Sequence, residues 1–340
     1  GAVAAVAAAE PAVSEAAVAE AAATLKVQKE EGAAAASTSL SKVLPRAVES
    51  MSDNDLKKAL AAAGGVNALL EIGKTHERSA EVMVSLASTI GDLSLCEEIA
   101  MDVSRAGGIT QLVSAAQRHY DSAQVQAAVA SALRNLCDFD EVALDIATAD
   151  GLEVLIDAFA RHPDSPIVAA RAAATLWGLS VSDEIAELMV PMGCTDALIA
   201  SAKAHPKSED VQASTAGAMR NLAVSDEHKR SIAGMGGLEV LIDASKNHPG
   251  SAIVQAQVTQ ALRNLSLEES IAEQIALCGG VEALIAVAHS YTENAKVLAG
   301  VAGALRNLTV TEDIAGQIAL AGGIEALIAA AKSHEANADV

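Results

Sequence analysis

The sequence repeats itself every 43 residues, and nothing else in it limits the possible folds as tightly. A glycine slot falls at Gly65, Gly108, Gly151, Gly237, Gly280 and Gly323, with Cys194 filling the one gap in the series. A valine slot falls at Val82, Val125, Val168, Val211, Val254, Val297 and Val340. The tripeptide Arg-Asn-Leu begins at Arg134, Arg220, Arg263 and Arg306, and the same slot reads Gly-Asp-Leu at 91 and Trp-Gly-Leu at 177. Six steps pass without an insertion or deletion. A period of about 40–47 residues is that of stacked helical units, in which each unit buries its apolar face only against its neighbours.

One unit shows how the helices divide. "EESIAEQIALCGG", from Glu268, reads as a short helix stopped at Gly279 and Gly280. Acidic residues crowd its start, where the helix dipole favours them. Glycine ends it because the left-handed backbone region costs glycine little. "VEALIAVAHS" reads as a second helix and "NAKVLAGVAGALRNLTV" as a third, longer one. The expected fold is therefore all-α, an α-solenoid of three-helix repeats. Composition agrees: aromatic residues are only 1% and alanine dominates, which suits close helix packing more than a β-sandwich.

"GGVEALI", "GGIEALI", "ALRNLS" and "ALRNLT", taken with the constant register, resemble the armadillo repeat from about residue 50 to the end. That resemblance implies a right-handed superhelix whose third helices line a concave groove. It implies protein–protein binding, and rarely catalysis. Residues 1–45 read as an Ala-rich extension and linker, and residues 46–340 as the repeat array, about six repeats plus an incomplete one. The valine slot opens a third helix, so Val340 is expected to stand where a longer protein continues.

Lys and Arg number 23 against 44 Asp and Glu, a net charge of −21. Such a chain repels nucleic acid and anionic membrane surfaces. No stretch has the length and apolarity of a membrane span. The four cysteines are scattered, with no CxxC spacing, and read as small buried hydrophobes with free thiols. Phosphate-loop, zinc-protease and nucleophile-elbow motifs are absent. No cofactor, metal or enzymatic role is expected, and the chain reads as intracellular and non-secreted, in the cytosol or in an organelle such as a plastid or cilium. Asn264 and Asn307 begin glycosylation sequons, which a non-secreted protein would not use.

The candidate surface lies on the third helices. In the helix from Val125 to Leu136, Val125, Val129, Leu133 and Leu136 form the core stripe at helical spacing. Arg134 falls on the opposite stripe, with Asn135 on its flank. The equivalent residues are Arg220 and Asn221, Arg263 and Asn264, and Arg306 and Asn307, standing over small residues such as Gly217 and Gly303. The armadillo resemblance implies that the asparagines hold an extended peptide backbone. The arginines could take carboxylates or phosphates in bidentate fashion. Two bland alternatives stand beside these: asparagines bonded to neighbouring backbone, and arginines paired with Asp138, Asp226, Glu268 or Glu312. Trp177, the only tryptophan, is either an apolar anchor in the groove or a ring folded over the space left by Gly178. Nuclear-import members of the family carry a tryptophan four residues before the asparagine. Here that position holds Ser131, Gly217, Gln260 and Gly303, so a basic import signal is not the expected ligand.

Histidines also share a slot: His76, His119, His162, His205, His248 and His334, with Tyr291 replacing the seventh. Packed helical layers lie about 8–10 Å apart and metal–nitrogen bonds are about 2 Å, so adjacent layers cannot share an ion. The expected task is to cap carbonyls at the end of the second helix. The leading functional expectation is a binding scaffold that holds an extended, acidic or phosphorylated, segment of another protein. A structural subunit of a large assembly, or an exchange factor for a small GTPase, are the other two.

Overall fold

A computed structural model describes residues 65–334. The Ala-rich extension and the valine at 340 lie outside the described residues. Within them the chain is all-helical, with nineteen helices and no strand. It divides into two compact units, Gly1–His162 and Pro163–Val340.

The first unit holds α1 (Gly65–Thr75), α2 (Ala80–Leu93), α3 (Glu97–Arg105), α4 (Gly108–Arg118), α5 (Ala123–Leu136), α6 (Asp140–Thr148) and α7 (Gly151–Arg161). The second unit opens with α8 (Pro166–Leu179), α9 (Asp183–Met189), α10 (Cys194–Ala204) and α11 (Glu209–Leu222). It continues through α12 (Asp226–Gly234), α13 (Gly237–Asn247), α14 (Ala252–Leu265), α15 (Glu269–Leu277) and α16 (Gly280–Ser290). It closes with α17 (Ala295–Leu308), α18 (Glu312–Leu320) and α19 (Gly323–Ser333). Helices of 9, 11 and 14 residues therefore recur in order, as the period requires.

Three local devices set these bounds. The turn between the short and middle helices uses a left-handed residue at Gly107, Gly193, Gly236, Gly279 and Gly322, and at Asp150 with φ 62°. The glycine that follows is required by contact rather than by φ. A Cβ on Gly280 would lie 2.7 Å from the carbonyl oxygen of Ile275. Cys194 escapes this clash because α9 is shorter, 7 residues against 9, and Pro191 follows where it cannot extend a helix. Each long helix starts at a side-chain cap. Ser79, Ser122, Ser165, Ser208 and Ser251, then Asn294, accept the N–H of the slot valine three residues on, at 3.2–3.5 Å.

The core is one stripe per long helix. The leucine that closes each of them, Leu93, Leu136, Leu179, Leu222, Leu265 or Leu308, is 0% exposed, and such burial stabilises by about 1.5–3 kcal/mol per side chain. Long helices pack on long helices: α2 on α5 in the first unit, and α8 on α11, α11 on α14 and α14 on α17 in the second. Small residues permit the approach. A Cβ on Gly91 would lie 3.2 Å from the Ala132 Cα, and one on Gly300 would lie 2.8 Å from the Thr259 Cβ. Among the described residues no single helix is long and apolar enough to cross a membrane.

Candidate functional site

In the second unit the last turns of α8, α11, α14 and α17 carry Trp177, Arg220, Arg263 and Arg306 in one slot. The side chains lie along the next helix. The Trp177 ring covers Gly217, where a Cβ would stand 2.7 Å from the indole Nε1. The Arg263 stem covers Gly303 in the same way, with Cδ and Nε 2.5 Å from such a Cβ. The small residues expected to floor an open groove are thus roofed by the row itself, and Ala213, Ala256 and Ala299 beneath it are buried. Trp177 lies over Gly217, a glycine of the following long helix.

Among the described residues none of these three arginines has a carboxylate within ion-pair distance. Arg220 donates from Nε and Nη2 to Asn221 Oδ1 at 3.1 and 2.9 Å, and from Nη1 to Gln257 Oε1 at 2.7 Å. Burial lowers its pKa from the ordinary arginine value, yet a guanidinium remains charged at neutral pH. Arg306 donates to Asn307 Oδ1 at 3.4 Å. The carboxylates once available as partners are engaged elsewhere or apart. Asp226 pairs with Lys229 at 2.9 Å, which lowers the pKa of the aspartate.

The first unit differs. Arg134 pairs with Asp138, four residues on. Burial works against the Arg134 charge, but the hydrogen bond and field of Asp138, with those of Cys137, outweigh it and raise the pKa.

The asparagines have structural bonds. Asn135 Nδ2 donates to the Gly91 carbonyl, Asn264 to that of Arg220 and Asn307 to that of Arg263, each at 3.0 Å. Asn221 Nδ2 donates to Ser180 Oγ at 3.1 Å. The accepting carbonyls lie in the last turn of the preceding long helix, where no intrahelical donor remains. Asn135, Asn264 and Asn307 therefore each cap the helix of the repeat before, whereas Asn221 meets the C-cap hydroxyl of α8. One amide proton is spent on stacking. The sequon nitrogens of Asn264 and Asn307 are the same Nδ2 atoms.

Two slots act otherwise than their sequence suggests. The histidines do not cap their own helix through the ring. His119, His162, His248 and His334 donate from Nε2 to the carbonyls of Glu77, Tyr120, Pro206 and Thr292, at 2.8–3.0 Å, each 42 residues back. Tyr291 keeps the bond, its hydroxyl donating to the Pro249 carbonyl at 2.9 Å. The helix-end carbonyls are taken instead by buried glutamines. Gln126 donates to Ala116 and His119, Gln212 to Ala202 and His205, and Gln255 to Ser245 and His248, at 2.8–3.1 Å. Their signal was present: a glutamine directly after the slot valine, on the core side of three long helices.

The cysteines are free thiols, with Cys96, Cys137 and Cys194 buried. Burial pushes the Cys137 thiol up to about 11 and Cys194 up to about 12. Among the described residues no cluster of three or more His, Cys, Asp or Glu could hold a metal ion.

No protein-family model matches the chain, and no curated protein matches it. Solved structures do. One engineered protein, Northeast Structural Genomics Consortium target OR329, is 26% identical with a TM-score of 0.62, over 72% of this chain and 96% of its own. A second engineered protein from that consortium, target OR497, is 23% identical with a TM-score of 0.57, over 92% of this chain and 87% of its own. The all-α, helical-repeat fold is thus shared with known structures.

Proposed function

We propose that the chain is a non-enzymatic binding scaffold, an armadillo-type right-handed solenoid that holds an extended acidic segment of another protein along Arg220, Arg263 and Arg306. The observation that carries this reading is the row itself. In a chain of net charge −21, three arginines share one slot, and none has a carboxylate partner among the described residues. A guanidinium left without an anion is a ready partner for carboxylates, since charge-assisted bonds are about twice as strong as neutral ones. Trp177 adds an apolar anchor at one end of the row, and the second amide protons of Asn221, Asn264 and Asn307 remain for a peptide backbone. In the first unit Asp138 already takes Arg134, so the reading rests on the second unit alone.

The test is a fluorescein-labelled oligoglutamate titrated into the protein at low salt, read by anisotropy. Binding is expected, with a loss of at least about tenfold in the Arg220→Glu, Arg263→Glu double variant. A wild-type protein that ignores the peptide would overturn the reading.

A second reading, a subunit built into a larger assembly, has one observation in its favour. Leu277 and Leu320 occupy one slot in consecutive repeats and are 86% and 92% exposed. If that edge is a permanent interface, Leu277→Glu with Leu320→Glu releases the protein from its native complex on size-exclusion chromatography. Co-elution unchanged by the two glutamates argues against it.

A further inference from the structure

Four residues after Trp177, Arg220 and Arg263, just past the helix end, an aliphatic side chain stands in the open, while Val310, four after Arg306, is half-buried. Val181 follows Trp177, Val224 follows Arg220 and Leu267 follows Arg263, and they are 69%, 61% and 63% exposed. The Val181 N–H bonds to the Gly178 carbonyl at 3.3 Å and the Leu267 N–H to that of Asn264 at 3.4 Å. The backbone therefore continues to turn beyond the helix, and residues four apart share a face. Single exposed aliphatics are ordinary. The pairing with charge is what sets these apart. After Arg134 the same position is Asp138, and that carboxylate takes the arginine. After Arg220 and Arg263 the position is aliphatic, and the arginine is left without one. Cations without a carboxylate partner and exposed aliphatics thus alternate at a fixed offset along the second unit.

Resting on the acidic-segment reading above, we infer that the bound segment is a polyproline II stretch with a carboxylate at every third residue and an aliphatic residue beside each. The spacing selects this form. The long helices α8, α11, α14 and α17 pack directly on one another, and packed helices lie about 8–10 Å apart. A polyproline II helix rises about 3.1 Å per residue with three residues per turn, so every third side chain faces the same way at intervals of about 9 Å. A β-strand sends residues three apart to opposite faces, and its same-face positions fall about 7 or 13 Å apart. An α-helix could match the rungs at every seventh residue, but its carbonyls are already bonded within the helix. The row offers more N–H groups than three carboxylates consume, and polyproline II carbonyls are free to accept them.

The test uses three peptides: a (Glu-Leu-Pro) repeat of twelve or so residues, a scramble of the same composition with its glutamates contiguous, and a helical peptide with glutamates seven apart. Binding is read from the single tryptophan, Trp177. The periodic peptide is expected to bind at least tenfold more tightly than either control, and Val224→Ser with Leu267→Ser is expected to reduce that preference several-fold. Equal affinity for the periodic and scrambled peptides, or preference for the heptad helix, overturns this inference while oligoglutamate binding leaves the acidic-segment reading standing. Replacing glutamate by phosphoserine at the same spacing is expected to gain less than tenfold, and a larger gain overturns the carboxylate assignment. Failure of every acidic peptide removes both.

Discussion

Replacing Asn264 by aspartate exchanges one NH2 group for an oxygen and changes little else in shape. In the folded protein that NH2 donates to the Arg220 carbonyl at 3.0 Å. The aspartate would turn an acceptor toward an acceptor. The lost bond is worth about 1 kcal/mol, and the half-buried carbonyl left without a donor costs about 1–3 kcal/mol more. The guanidinium groups nearby would offset part of this, so Asn264→Asp is expected to destabilise by about 2 kcal/mol. Asn221→Asp is the internal control. Asn221 Nδ2 points at a hydroxyl, Ser180 Oγ at 3.1 Å, and its Oδ1 already receives two N–H groups of Arg220. The Ser180 hydroxyl now donates to the Trp177 carbonyl at 2.7 Å. Turning it to the carboxylate exchanges one hydrogen bond for another, and the carboxylate would strengthen the Arg220 contact, so this change is expected to cost under about 1 kcal/mol. Urea unfolding followed by circular dichroism and by Trp177 fluorescence gives both values. If the two variants unfold alike, the asparagines do not cap the preceding helices and the argument for their structural role fails.

Thr195 is fully buried with an unpartnered hydroxyl, in a slot that elsewhere holds Ile109, Leu152, Leu238 and Val281. Thr195→Val is expected to stabilise by about 1 kcal/mol, a rise of roughly 2–4 °C in Tm, and a fall would refute the assignment. The buried thiols predict an alkaline effect. Cys137 and Cys194 stay protonated in the fold to about 11 and about 12, against 9.0 unfolded. Above pH 9 the unfolded chain binds fewer protons, so stability falls as pH rises, by up to about 1.4 kcal/mol per pH unit per group. Replacing both with alanine should flatten the difference between pH 9 and pH 10.5; parallel curves for variant and wild type would count against this.

The repeat length, the helix bounds and the left-handed glycines were legible because each follows from a local rule. The helices Glu269–Leu277, Gly280–Ser290 and Ala295–Leu308 fall where "EESIAEQIAL", "VEALIAVAHS" and "NAKVLAGVAGALRNL" place them. Cys194 in the glycine slot looked like an exception, and its explanation, the shortened α9 before Pro191, was also in the sequence. The partners of the conserved-looking slots were not legible. Periodicity places His119 at a helix end but does not say that its ring reaches back to Glu77. It marks Asn264 as flanking a surface without revealing that the carbonyl of Arg220 lies within 3.0 Å. Such bonds join residues one repeat apart in sequence, so only the packed stack brings them together. The same holds for the fate of the arginines. Asp138 stands four residues after Arg134 and takes it, whereas Asp226 stands six after Arg220 and pairs with Lys229 instead.

The two cross-repeat bonds flank the 43-residue period from opposite sides. Histidine or tyrosine reaches back 42 residues to the loop before a long helix. Asparagine reaches back 44 residues to its last turn. A stack tied at both ends of each long helix has its neighbour coupling written into these side chains, and coupling between neighbours is what makes a repeat array unfold cooperatively. This separates two properties that occupy one surface. The asparagines serve the stack, and so does Arg220 through its bond to Gln257 on the next long helix, whereas the Arg263 guanidinium has no hydrogen-bond partner among the described residues and only its stem packs, over Gly303. Arg263→Gln should therefore leave unfolding nearly unchanged while weakening capture of an acidic peptide, whereas Asn264→Ala should lower stability and weaken capture less than Arg263→Gln does. A single variant set, measured once for stability and once for binding, then decides whether the row is a site or part of the scaffold. If Arg263→Gln lowers stability as much as it lowers affinity, the arginine belongs to the scaffold.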